Sequence, residues 1–278
     1  MKKVRYPAVA GFFYPKEKPV LEKTLTTFFL QTKKINFDGR PKILVSPHAG
    51  INYSGLVAAW GYRQIKEFNF SKFFLLGASH YAWFNYLALS SADWWLTPLG
   101  KVKVNKKIIE KITNEQIILD DYPHLKEHSL EVQLIFLKKI FPQLTVIPIM
   151  VSQLSKKLIL KAAEKIALLL DDESLLIVST DLSHYPKAEI AQKVDERTIK
   201  AVLIGKRDFF EKEIEKIESL GLAGLETAIC GYQVVRLALA IGERLGLKWK
   251  KIFYRHSGEI SGDRTQVVGY GSLLAVKS

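Results

Sequence analysis

The chain reads as an α/β protein with a mostly parallel or mixed central sheet covered by helices, and three observations predict it. Short apolar runs alternate with longer segments whose apolar residues recur at helical spacing. Two of the runs, FFLLGA and LLIVST, are apolar without alternation, which suits central strands buried on both faces. No internal repeat, low-complexity tract or long Gly, Ser or Pro linker interrupts the 278 residues, so one domain over 1–278 is the simplest organisation.

In chain order, strands are expected at 42–47, 72–77, 86–90, 145–151 and 174–180, with two more near 249–255 and 267–276. Helical spacing covers 54–67, 105–113, 129–141, 155–171, 186–205, 208–219 and 227–246. The first strand lies in KILVSPHAGINYSG and stops at His48; Gly50 and Gly55 then permit a tight turn and a close helix start. The second, in FFLLGASHY, delivers His80 at its end, and the run LLIVSTDLSHY delivers His184. The aromatic clusters YAWFNY and DWW around the third strand suit a hydrophobic wall or an interface in a homo-oligomer. Met150, at the end of TVIPIM, reads as packing.

Apolar residues make up 48% of the chain and charged residues 25%, which supports a full core and argues against disorder. A net charge of +13 raises the question of nucleic acid, but the lysines are dispersed among acids, as in EKEIEKIE and KVDERTIK. Solvated helix faces explain that pattern, so nucleic acid is not expected, whereas an acidic partner or anionic substrate is favoured. Pro7 and Pro15 bracket an apolar patch too short for a signal-peptide core, and no apolar run is long enough to span a membrane. A cytoplasmic protein without membrane contact is the expectation. The single cysteine, Cys230, excludes an intrachain disulfide and any Cys-rich zinc module.

Ligands of open α/β sheets bind beyond the carboxyl ends of the strands, where all three strand-end histidines fall. The helical pattern around GLETAICGY is expected to begin at Thr227 as N-cap, which places Cys230 in the first turn, where the helix dipole favours a thiolate. Two imidazoles and one thiolate form a three-donor set with an open position, as a catalytic mononuclear metal site requires. Sulfur shifts the preference toward Cu(I) or Zn, with Fe(II) allowed, and no organic cofactor is expected. His184 is assigned as acid or base, with Asp181, three residues earlier, as its supporting carboxylate. The stretch HLKEHSLEVQL supplies His124, Glu127, His128 and Glu131; His128 and Glu131 share a helical face and are expected to line the crevice as further catalytic residues. His124 and His256 read as structural.

Seven stretches, AVAGFFYP, PHAGINYSG, LLGASHY, LALSSADWWLTPLG, EHSLEVQL, STDLSHY and ETAICGYQ, together resemble the Memo family, whose prokaryotic members are often labelled AmmeMemoRadiSam system protein B. The resemblance runs from about residue 5 to near the C-terminus. That family is similar in fold to class III extradiol ring-cleaving dioxygenases, which implies a single-domain three-layer sandwich. By this resemblance His48 and His80 match two histidine ligands of iron, His184 matches the base, and Cys230 stands where those enzymes have a glutamate. The cysteine is a departure, because a thiolate retunes a metal's redox potential and is itself oxidisable. The resemblance implies a metal-dependent redox enzyme of dioxygenase-like kind, or a relic of one, with radical SAM and AMMECR1-like proteins as partners. Two alternatives from other classes are a non-enzymatic module that binds a peptide or partner in the same crevice, and a zinc-dependent hydrolase.

Overall fold

A computed structural model describes residues 2–278. The elements run β1 (Val4–Arg5), α1 (Lys18–Leu30), β2 (Arg40–Ser46), α2 (Ile51–Ile65), β3 (Lys72–Ala78), β4 (Leu87–Leu89), β5 (Trp94–Thr97) and β6 (Gly100–Val104). They continue with α3 (Lys106–Ile112), β7 (Ile117–Leu119), a 3-10 turn at Tyr122–His124, α4 (Ser129–Ile140), β8 (Thr145–Val151), α5 (Lys156–Leu169) and β9 (Ser174–Ser179). The last part holds α6 (Ala188–Leu203), α7 (Arg207–Glu218), α8 (Tyr232–Leu245), β10 (Lys248–His256), α9 (Gly258–Ser261) and β11 (Gly269–Lys277).

All eleven strands among the described residues join one mixed sheet, ordered β1-β5-β6-β8-β3-β9-β2-β11-β10, with β4 and β7 branching from β8. Its centre, β8-β3-β9-β2, is parallel throughout. Because β9 inserts between β2 and β3, the loops that follow these three strands emerge side by side. The residues of β3 from Phe73 to Leu76 are completely buried, as their unbroken apolar character requires. Each such Leu or Phe contributes about 1.5–3 kcal/mol of transfer free energy.

Helices α1, α2 and α4 pack together on one face, while α5 with α8 and α6 with α7 pack over the other, giving three layers. Two glycines set the close approaches that shape the site. A Cβ on Gly77 would lie 2.5 Å from Ser129 Oγ, so glycine lets the start of α4 descend onto β3. A Cβ on Gly231 would lie 2.5 Å from Thr180, so glycine lets the start of α8 descend onto the end of β9. No helix among the described residues is long and apolar enough to cross a membrane.

Every expected strand and helix is present, β8 at its expected 145–151 and the others with shifted ends. Helix α1 is unanticipated: it buries only Leu21 and Leu25 and carries three threonines whose hydroxyls bond back to carbonyls four residues earlier, so its apolar pattern is sparse. The β5–β6 hairpin and the short β1 and β7 lie in stretches that offer two to five residues of pattern, too few to show a period.

Candidate metal centre

The loops after β2, β3 and β9 bring His48, His80 and Asp181 together; His128 stands at the N-cap of α4, and Cys230 just before α8. His48, His80 and His128 each present one donor atom, all within 4.8 Å of one another, a grouping of the kind that holds a metal ion. Their ring centroids are 5.1 Å (His48 to His80), 5.3 Å (His48 to His128) and 4.6 Å (His80 to His128) apart.

His48 is held in one tautomer. Its Nδ1 lies 3.0 Å from Ser179 Oγ. The single hydroxyl proton of Ser179 is donated to the Ser129 carbonyl at 2.6 Å, and Gln133 Nε2 donates to the Ser179 Oγ itself at 2.9 Å. Ser179 can therefore only accept from His48, so Nδ1 carries the proton and Nε2 turns a lone pair toward the other donors. Burial and the neighbouring His80 hold the His48 pKa down at about 3, so the ring stays neutral.

His80 stands exposed at the rim and leans on Glu127. Glu127 Oε1 lies 3.0 Å from His80 Nδ1, Oε2 accepts the His80 backbone N–H at 2.7 Å, and Oε1 also accepts the N–H groups of His128 and Ser129 at 2.9 Å. Burial opposes the charge on both partners, but these bonds outweigh it. The Glu127 pKa falls to about 2, and that of His80 rises above its ordinary value. Burial and the neighbouring His48 lower His128 to about 4. Its buried Nδ1 lies 3.3 Å from Glu127 Oε1, close to that carboxylate but outside hydrogen-bonding geometry.

Cys230 differs from the sequence expectation. Helix α8 is capped by Gly231 and starts at Tyr232, so Thr227 is not its N-cap and the cysteine lies outside the first turn. The Thr227 hydroxyl sits instead between Glu218 and the Ile229 carbonyl. Burial and the charge of Asp181 push the free thiol up to about 12, so the helix start alone does not ionise it. Its sulfur accepts the Asp181 N–H at 3.2 Å and faces His48 Nε2 at 3.5 Å, an acceptor for the thiol proton. Nitrogen and sulfur donors of one tetrahedral ion would stand about 3.5 Å apart, given metal–ligand lengths near 2.0 and 2.3 Å. The donor chemistry and this spacing fit a metal ion.

The remaining expected residues take mixed positions. Asp181 supports His48 more directly than His184: its Oδ1 accepts the His48 backbone N–H at 2.8 Å, while only its charge acts on His184. His184 donates its N–H to the Thr227 carbonyl and keeps a buried Nε2 with no partner. The next residue, Tyr185, has φ 68°, a left-handed conformation that marks strain in a residue other than glycine. Glu131 does not line the crevice. It is wholly buried, paired with Arg5, and accepts from Ala8 N at 2.7 Å, Val9 N at 3.0 Å and the Tyr14 hydroxyl at 2.5 Å. It thereby anchors the N-terminal segment, which places the Phe13 ring 4.8 Å from that of His128. His124 bonds the Ala88 carbonyl and is structural.

Glu127, Ser179 and Gln133 acquire their roles only in three dimensions. An acid directly before His128 was the one trace of Glu127. A cavity of about 260 Å3 opens beside Cys230, lined by Ser79, Gln153, Thr227, Tyr232 and Gln233 among others. A larger cavity of about 480 Å3 between Phe29, Arg63 and Ile140 contains none of this chemistry, so size is no guide to the site here.

The family profile described as Memo-like protein matches residues 5–274. A MEMO1 family protein of Aquifex aeolicus is 34% identical over 98% of this chain and 99% of its own. Another, of Methanocaldococcus jannaschii, is 33% identical over 99% of both, and one of Thermoplasma volcanium is 28% identical over 99% of both. Among solved structures, an uncharacterized protein of Escherichia coli K12 superposes with a TM-score of 0.51 at 11% identity, covering 84% of this chain and 99% of that one, a likeness of fold alone.

Proposed function

The chain belongs to the Memo-like family, and from that premise we propose that it is a metal-dependent redox protein of dioxygenase-like kind, or a relic of one, with His48, His80 and Cys230 holding a single ion. The observation that carries this reading is the forced tautomer of His48, whose Nε2 lone pair faces the Cys230 sulfur at 3.5 Å within a converging histidine group. Iron or copper bound there would supply Lewis acidity and one-electron chemistry, and zinc the former only.

The chain's own residues do the rest. Glu127 keeps the His80 ring aimed at the centre, and Asp181 fixes the loop that carries His48. His184, whose pKa burial lowers, presents an unpartnered Nε2 that takes a proton from a substrate hydroxyl and returns it. The hydroxyl and amide lining of the adjacent cavity suits a small polar substrate.

A second reading, a partner-binding module using the same crevice, draws on Tyr81, which is 59% exposed with its ring 6.5 Å from that of His80 and 6.1 Å from that of His128. One experiment separates the two. Protein purified without oxygen and supplied with Fe(II), Cu(I) or Zn should retain about one equivalent of metal, as a mononuclear site implies. The His48→Ala, His80→Ala double variant should retain none. Unchanged metal content in that variant removes the proposed centre, and undiminished peptide binding by it would favour the module.

A further inference from the structure

The cavity of about 480 Å3 lies where the C-terminal ends of α1, α2 and α4 meet, far from the histidines. Phe29, Leu30 and Ile140 give it an apolar wall, while Arg63, Lys66 and Lys139 bring three cations to it and no acidic residue lines it. Helix C-termini attract cations, but these ends are capped by the chain itself. The carbonyls of Phe28, Phe29, Ile65 and Leu137 accept the main-chain N–H groups of Gln31, Thr32, Phe68 and Phe141 at distances between 2.7 and 3.1 Å. The cations are also poorly paired. Arg63 reaches Glu67 only at 3.7 Å, and Glu67 is held more closely, at 2.5 Å, by Lys34. Lys66 and Lys139 form no salt bridge among the described residues. Leu30, at the end of α1, is 80% exposed, so the wall of the cavity leaves apolar surface bare beside unneutralised charge.

We propose that this cavity binds a small organic anion, a carboxylate held by Arg63 and Lys139 and carried on an aliphatic chain that lies along Phe29, Leu30 and Ile140. Its volume is that of a small-molecule pocket, and a mainly apolar wall with a few convergent polar groups is the usual construction of one. The guanidinium fork matches a carboxylate, and the part-buried stems of Arg63 and Lys139 reduce the freedom lost on binding. A recess between three helices admits a single chain, so the source is a free amphiphile and not a bilayer. Helices α2 and α4 start beside His48 and His128 and end at this cavity. Their 15 and 12 residues put about 18–22 Å between the two places. The occupant therefore does not compete with the proposed metal, and the cavity's role stands or falls independently of that centre.

The test is calorimetric titration of the unaltered protein, at neutral pH and low ionic strength, with octanoate, 1-octanol and inorganic phosphate. Octanoate should saturate at about one equivalent and bind about tenfold or more tightly than octanol, which lacks the charge, or phosphate, which lacks the chain. The Arg63→Gln, Lys139→Gln double variant should lose about tenfold in octanoate affinity, and Leu30→Ser, a change at an exposed position, about threefold. Removing the same charge from exposed residues of β6, by Lys101→Gln with Lys103→Gln, should leave the affinity within about twofold, because distant surface charges are screened. No saturable octanoate binding, octanol or phosphate bound as tightly as octanoate, or equal losses in the two double variants overturns the proposal. So does sedimentation with phosphatidylglycerol vesicles that the Arg63→Gln, Lys139→Gln change abolishes, which would assign the cavity to a lipid surface.

Discussion

His48 is committed to its chemistry by residues that never touch a substrate. Ser179 has one proton and gives it to a carbonyl, and Gln133 occupies one of its lone pairs, so the imidazole has no choice of tautomer. Ser179→Ala removes that constraint and strands two buried donors. Metal affinity should fall about 10–100-fold, the usual loss when a group orienting a ligand is removed, as measured by competition with a chelator; an unchanged affinity would show that tautomer control is irrelevant. His48 and His80 were legible in the sequence because each ends an unmistakable strand. Glu127, Ser179 and Gln133 were not, because their roles depend on contacts between residues 46 to 131 positions apart. The expected thiolate failed for a local reason: the N-cap read at Thr227 actually lies at Gly231, and that shift of four residues separates a dipole-stabilised sulfur from a buried neutral thiol.

Elements act here chiefly as placement devices. Helix α6 reaches across to the loop of Asp181 and His184 through Asp195, which accepts from Ser183 N at 2.9 Å and from the Tyr254 hydroxyl at 2.7 Å. Burial outweighs both bonds and raises Asp195 from 3.8 to about 6. A carboxyl whose folded pKa exceeds its unfolded value contributes stability that is complete below about pH 4 and is lost as pH climbs through about 6. The loss by pH 7 is on the order of 3 kcal/mol. Asp195→Asn keeps the shape and cannot ionise, so its stability relative to the unaltered protein should increase between pH 4.5 and 7.5, measured by urea unfolding at intermediate values such as about pH 5, 6 and 7. Parallel pH profiles for the two proteins would show that Asp195 does not titrate in this range. At the same scale, α1 escaped sequence reading because two buried leucines make a weak stripe, whereas α5, with five buried apolar residues and a Ser155 cap, was plain.

Across the whole molecule, the four central strands were readable because burial on both faces leaves no room for polar alternation, and β8 falls at 145–151 as expected. Strand order was not readable: the insertion of β9 between β2 and β3 is what sets the histidine loops side by side, and nothing local encodes it. The mixed edges, antiparallel at β10–β11 and β5–β6, likewise depend on long-range pairing. The central claim is that this topology builds one metal position from three distant loops. Anomalous diffraction from crystals grown without oxygen in the presence of Fe(II) tests it most directly. One strong peak within about 2.0–2.5 Å of a ring nitrogen of both His48 and His80 is the predicted result. Peaks confined to the surface, or full-occupancy crystals with no peak between those two rings, would contradict it.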